Sequence, residues 1–192
     1  MLSKPPSTHP DISLSRRGAS LTLLTRTRNP SSLARGLYLS PSLVPHTMMS
    51  GQTAEDLGHE HLGIELVDPS YFFTESRWRE HRQGLGLPEE PLPHGHKPSH
   101  LPFENLDQLP TGTVGAVALD VRGCIAAVTS TGGRTNKLVG RVGDTPQMGS
   151  GFWAEEWKVE GWIRKVWSKC RGKSTKRAVG ISGTGDGDVS QR

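Results

Sequence analysis

The chain has little cysteine. Cys124 and Cys170 are the only two in 192 residues, and neither belongs to a CxxC pair. Two thiols cannot staple a small secreted fold, and the ligand spacing of a zinc finger is missing, so both classes drop out. A reducing compartment, the cytoplasm, is the expected location. Long apolar runs are also lacking, because Arg, Asp or Gly interrupts each one before the roughly 18 residues that a membrane-spanning helix needs. No GxSxG elbow occurs, which removes the serine nucleophile of that type. Acid is scarce in two places. Met1 to Ser40 sets Lys4, Arg16, Arg17, Arg26, Arg28 and Arg35 against Asp11 alone, and residues 164–177 hold seven bases and no acid. The first stretch has the composition of a transit peptide, and the second reads as a solvated basic face.

What the chain has in excess is glycine and proline, 23 and 14 residues, so part of it should be turn-rich. Met1 to Ser15 is Ser/Pro-rich and is expected to be disordered. Ala19 to Thr25 reads as a strand. Asn29-Pro30 predicts a helix to Leu39, with Asn29 as N-cap and Pro30 in the first turn. Gln52 to Leu62 predicts a second helix stopped by Gly63, and Tyr71 to Gln83 a third. Residues 84–112 hold Pro88, Pro91, Pro93, Pro98, Pro102 and Pro110 without periodicity, the mark of an exposed linker.

The clearest signal follows. Thr113 to Asp120 is a run of small and β-branched residues, as expected for a strand covered on both faces, and Cys124 to Thr131 is a second. Val121-Arg122-Gly123 suits a three-residue hairpin loop with Gly123 left-handed. A hairpin centred on Arg122 sets position 113 opposite position 131, and both are threonine. Two hydroxyls then lie side by side at one end of the strands, with Gly112 before one and Gly132-Gly133 after the other. On symmetry alone, two threonines at a sheet rim is the plainer reading.

The run Gly112-Thr-Val-Gly-Ala-Val-Ala-Leu-Asp120, then Thr129-Ser-Thr-Gly-Gly133, Asn136-Lys137, Gly140-Arg-Val-Gly-Asp-Thr-Pro146 and Gly149-Ser-Gly151 resembles the plant-type asparaginases, or isoaspartyl peptidases. These are threonine-dependent N-terminal-nucleophile hydrolases, related to threonine aspartases and glycosylasparaginases. The likeness is thinner at Arg28-Asn-Pro and returns at Gly183-Thr-Gly-Asp-Gly187. It implies an α/β fold of the αββα-sandwich kind and self-cleavage between Gly112 and Thr113, giving an α and a β subunit. Thr113 would be nucleophile, its freed α-amine the base, and Thr131 the group that orients it. Thr184 and Gly185 would supply oxyanion donors and Gly187 close backbone approach. Arg141 and Asp144 would clamp the aspartyl carboxylate and ammonium. The implied substrate is asparagine or a β-aspartyl dipeptide, the implied assembly a dimer of processed heterodimers, with no cofactor, metal, membrane or nucleic-acid partner.

The resemblance divides the chain into a disordered start (1–15), an α-subunit fragment (16–83), a linker ending at the cleavage site (84–112) and a β-subunit fragment (113–192). Within the last, residues 153–178 read as a basic, Trp-rich insertion carrying a helix faced by Trp162, Ile163, Val166, Trp167 and Cys170. Elements found at both ends of the family pattern are missing, so an incomplete sandwich from a truncated copy or partial gene model is expected, with edges and apolar faces exposed. The transit-peptide reading loses ground because its bases fall in the segment that matches the family. His59-Glu60-His61 and His94-Gly95-His96 with His100 are taken as solvated, since neither holds ligands on fixed elements. A threonine-aspartase-like protease, or a non-catalytic remnant serving as a basic binding module, stays open.

Overall fold

A computed structural model describes residues 1–93, 95, 112–138, 140–158 and 176–183. Its helical part is organised by the first expected helix, α1 (Pro30–Leu39). Asn29 Oδ1 accepts the Ser32 N–H at 3.1 Å, and Pro30 occupies a position where no N–H is needed. Leu33 and Leu37, four residues apart and so on one face, are fully buried with Val44 and packed by Leu21, Leu24, Leu57 and Ile64. Beneath them a short parallel pair, β1 (Ser20–Thr22) with β2 (Met48–Ser50), runs into α2 (Gly51–Leu62), which ends at Gly63 with φ +65°. A Cβ on Gly58 would collide with Leu33, so glycine there sets how closely α1 and α2 approach.

The third expected helix is divided. Asp68 Oδ1 accepts the Ser70 N–H at 2.8 Å and starts a 3₁₀ turn, Pro69–Phe72, that ends at the extended Phe73. A new helix, α3 (Glu75–Gly84), begins after Thr74 with Glu75 in its first turn. The start of the chain also differs from the disorder its composition suggests. Ser3 N–H donates to Ile125 O at 2.8 Å and Ala127 N–H to Met1 O at 2.8 Å, and Ser3 and Ile12 are buried. Backbone pairing of this kind needs no side-chain pattern, so composition does not announce it.

The hairpin has the expected register. In β3 (Thr113–Leu119) and β4 (Ile125–Thr131), Thr113 pairs with Thr131 and Leu119 with Ile125. Asp120 Oδ1 closes the turn by accepting the N–H groups of Arg122 at 2.9 Å and Cys124 at 2.7 Å, and Gly123 is left-handed at φ +73°. A second antiparallel pair, β5 (Trp153–Lys158) with β6 (Lys176–Ile181), packs on one side of it. Gly180 lies against Val117 and Ile125, and Gly115 against Phe152, where side chains would collide. The expectation of cover on both faces of β3 is corrected here. Val114 and Leu119 are each 70% exposed, because within the described residues nothing packs over their side chains.

Most of the Pro-rich stretch, residues 96–111, lies outside the described residues, as does the helix expected around Trp162 and Cys170. Trp153 and Trp157, from the same basic Trp-rich segment, belong to β5. No helix among the described residues is long and apolar enough to cross a membrane.

Candidate active site

Thr113 opens β3 and Thr131 closes β4. As direct partners across an antiparallel ladder they project to one face. The Thr131 hydroxyl accepts the Gly133 N–H at 3.0 Å and donates towards Gly112 O at 3.5 Å, long for an O–H···O bond. It therefore points at the carbonyl of the Gly112–Thr113 bond. Gly112 has φ +149°, a conformation that side chains disfavour, and Gly133 has φ +78°.

Arg141 and Asp144, from the next loop, line the same cleft as the two threonines. A broad open cleft of about 1760 Å³ is lined by Gly112, Thr113, Thr131, Gly133, Arg141 and Asp144, among others. The Arg141 N–H donates to Leu138 O at 3.1 Å, and its guanidinium lies along Gly143. Asp144 is 8% exposed. Its Oδ2 stands 3.4 Å from where a Cβ on Gly151 would sit, and Gly183 O is equally near that point. The chain thus arrives beside Asp144 just before Thr184. Thr184, Gly185 and Gly187 themselves lie outside the described residues. A cation and a buried carboxylate in one cleft match a zwitterion, and two hydroxyls at its end match an acyl-transfer nucleophile with its orienting group.

Other residues at the site carry no signal that residue type alone supplies. The loop after Thr131 is clasped by α3. Arg77 Nη1 donates to Thr135 Oγ1 at 3.3 Å, and Asn136 Nδ2 donates to His81 O at 3.0 Å. Asn136 Oδ1 also meets His81 Nδ1 in a very short contact, and the Asn136 amide rests on Gly84, where a Cβ would not fit. Asn136 is left-handed at φ +54°, a conformation asparagine tolerates better than most residues. Burial pushes the Glu80 carboxyl up, but hydrogen bonds from Thr135 and Arg77 outweigh it and hold the group below its ordinary value. Asn136 and Lys137 are signalled in the sequence only by their place in the motif run, two residues beyond Thr131-Gly-Gly133.

Away from the cleft, Glu55 is a fully buried carboxylate. Its Oε1 accepts the N–H groups of Thr25, Arg26 and Thr27 at 2.9, 2.6 and 2.9 Å. Burial raises its pKa, but those bonds prevail and the net shift is downward. The His59 ring Nδ1 lies 2.9 Å from Ile64 O, and His61 is exposed beside Glu60. His94, His96 and His100 lie outside the described residues.

The two threonines, the glycines beside them and the Arg141 and Asp144 charges follow one another along the chain in the order that the resemblance implies. The sequence profile of the family described as Asparaginase matches residues 14–159, and the chain belongs to that family. It is 42% identical over 132 residues to the isoaspartyl peptidase of Escherichia coli, covering 69% of this chain and 38% of that one. Against the isoaspartyl peptidase/L-asparaginase of Mus musculus the identity is 42% over 127 residues, 66% of this chain and 34% of the other. A probable isoaspartyl peptidase/L-asparaginase of Drosophila melanogaster is 33% identical over 183 residues, 92% of this chain and 47% of its own length. The chain spans less than half the length of these curated relatives.

Proposed function

We propose that the chain is an amidohydrolase that cleaves itself between Gly112 and Thr113 and then hydrolyses asparagine or β-aspartyl peptides. The observation that carries this reading is the pairing of Thr113 with Thr131 at the mouth of a cleft that Arg141 and Asp144 also line. In self-cleavage the Thr113 hydroxyl adds to the Gly112 carbonyl, the C–N bond breaks, and the proton passes to the departing amine. Water then hydrolyses the resulting ester. Thr131, whose hydroxyl is directed at Gly112 O, steadies the charge on that carbonyl.

The new α-amine of Thr113 has an ordinary pKa near 7.7 to 8.0, so a useful fraction is neutral and accepts the hydroxyl proton. Oγ attacks the side-chain carbonyl of the substrate, the leaving amine takes the proton, and water releases aspartate. Arg141 holds the α-carboxylate and Asp144 the α-ammonium, while Thr184, with the backbone of Gly185, receives the oxyanion and Gly187 permits close backbone approach. The fold that accompanies this chemistry is an αββα sandwich, supported by two antiparallel strand pairs packed together with α1 against β4. Processed heterodimers paired in a cytoplasmic enzyme complete the reading.

The test is a denaturing gel with intact mass measurement on the purified 192-residue chain, together with release of aspartate from asparagine and from a β-aspartyl dipeptide. Two fragments meeting at residues 112 and 113, and aspartate from either substrate, are expected. An uncut chain without hydrolysis rejects the reading in favour of a non-catalytic relative.

A further inference from the structure

Lys137 is a cation in the cleft that neither the fold nor the aspartyl clamp employs. Its ammonium folds back over Gly133, 2.6 Å from where a Cβ on that glycine would stand. Gly133 is the residue whose N–H holds the Thr131 hydroxyl, so the charge sits at the reacting end of the cleft. Lys137 makes no ion pair among the described residues. Arg77 and Glu80, which line the same cleft, satisfy one another, with Arg77 Nη1 2.7 Å from Glu80 Oε2. The loop that presents Lys137 is fixed from α3 through Thr135 and Asn136. It offers a compact point charge on a reaching stem.

The chemistry of the two substrates differs in one charge. Asparagine brings one carboxylate and one ammonium, which Arg141 and Asp144 match, and its leaving group is ammonia. A β-aspartyl dipeptide brings a second carboxylate on the residue that leaves. Resting on the hydrolase reading above, we propose that Lys137 binds this second carboxylate. Lys137 is then the residue that makes the free β-aspartyl dipeptide, ahead of asparagine, the preferred substrate.

The test compares β-aspartyl-glycine, its C-terminal amide and asparagine on the 192-residue chain and on Lys137→Met. The variant is expected to lose about fivefold in kcat/KM on the dipeptide alone, the upper range for a solvent-accessible ion pair. That preference should shrink in high salt. Equal losses on all three compounds, or none on the dipeptide, overturn the assignment and leave the hydrolase reading intact. If the unaltered chain hydrolyses none of them, the hydrolase reading falls instead, and calorimetric binding decides the role of Lys137. Tighter binding of dipeptide than amide that vanishes in Lys137→Met supports it, and equal binding in both chains overturns it.

Discussion

Leu33, Leu37 and Glu55 are sealed from solvent, whereas Val114 and Leu119, in the strand that Thr113 begins, are each 70% exposed. The helical region is held by burial and by one carboxylate that accepts three backbone N–H groups. The hairpin region is held by ladder bonds and glycine contacts, and it carries the groups to which the proposed function gives the reaction. On that proposal stability and chemistry occupy different parts of the chain, and substitutions in the two should have different readouts.

The sharpest separation comes from Thr113→Ala. Loss of the proposed nucleophile should reduce self-cleavage and hydrolysis by about 10⁴-fold or more while the uncut chain stays folded, as intact mass, aspartate release and circular dichroism would show. Leu33→Ala reverses the pattern. It should cost about 3 kcal/mol in urea unfolding, the usual result of emptying a closed core site, with the residual folded fraction still able to cut itself. Loss of self-cleavage in Leu33→Ala at a temperature where the chain stays folded would break the division.

Glu55 sharpens it by pH. Its carboxyl lies below the ordinary value in the folded chain, so its contribution is fully present above the unfolded pKa of about 4.3 and fades as pH falls through the lower folded value. Urea midpoints should hold between pH 7 and 5 and drop below about pH 4, while Glu55→Gln should show a shallower drop from a lower start. Asn136→Ala should slow self-cleavage by roughly tenfold through release of the Gly133 loop, by the size of a lost hydrogen-bonded support, with little change in unfolding. Smallest of all, Val114→Thr should alter stability by no more than about 0.5 kcal/mol, since the side chain is already in water.

Much of this was legible in residue order. Asn29-Pro30 marked the start of α1, Gly63 marked the end of α2, and the length of the Arg122 loop fixed Thr113 opposite Thr131. Those features are local, each decided within a few residues by capping or turn geometry. The cage around Glu55 was not legible, because its donors lie about thirty residues upstream and any acidic residue on a helix looks alike. The pairing of Met1 and Ser3 with β4 was missed for a related reason: it is made by backbone atoms across more than a hundred residues. Composition also overstated how well β3 is covered, since small apolar residues suit a strand whether or not a layer lies over it. At the site, Arg141 and Asp144 were readable by charge, while the roles of His81 and Asn136 needed the contact between α3 and the loop.

The clasp between α3 and Asn136 joins parts of the chain on either side of the Gly112–Thr113 bond, as do the contacts of Met1 with β4. Severing that bond would change the molecularity of unfolding without dismantling the particle. A cut molecule would migrate as one species on a native gel and as two under denaturation. Its melting temperature would rise with protein concentration, whereas that of the uncut chain would not.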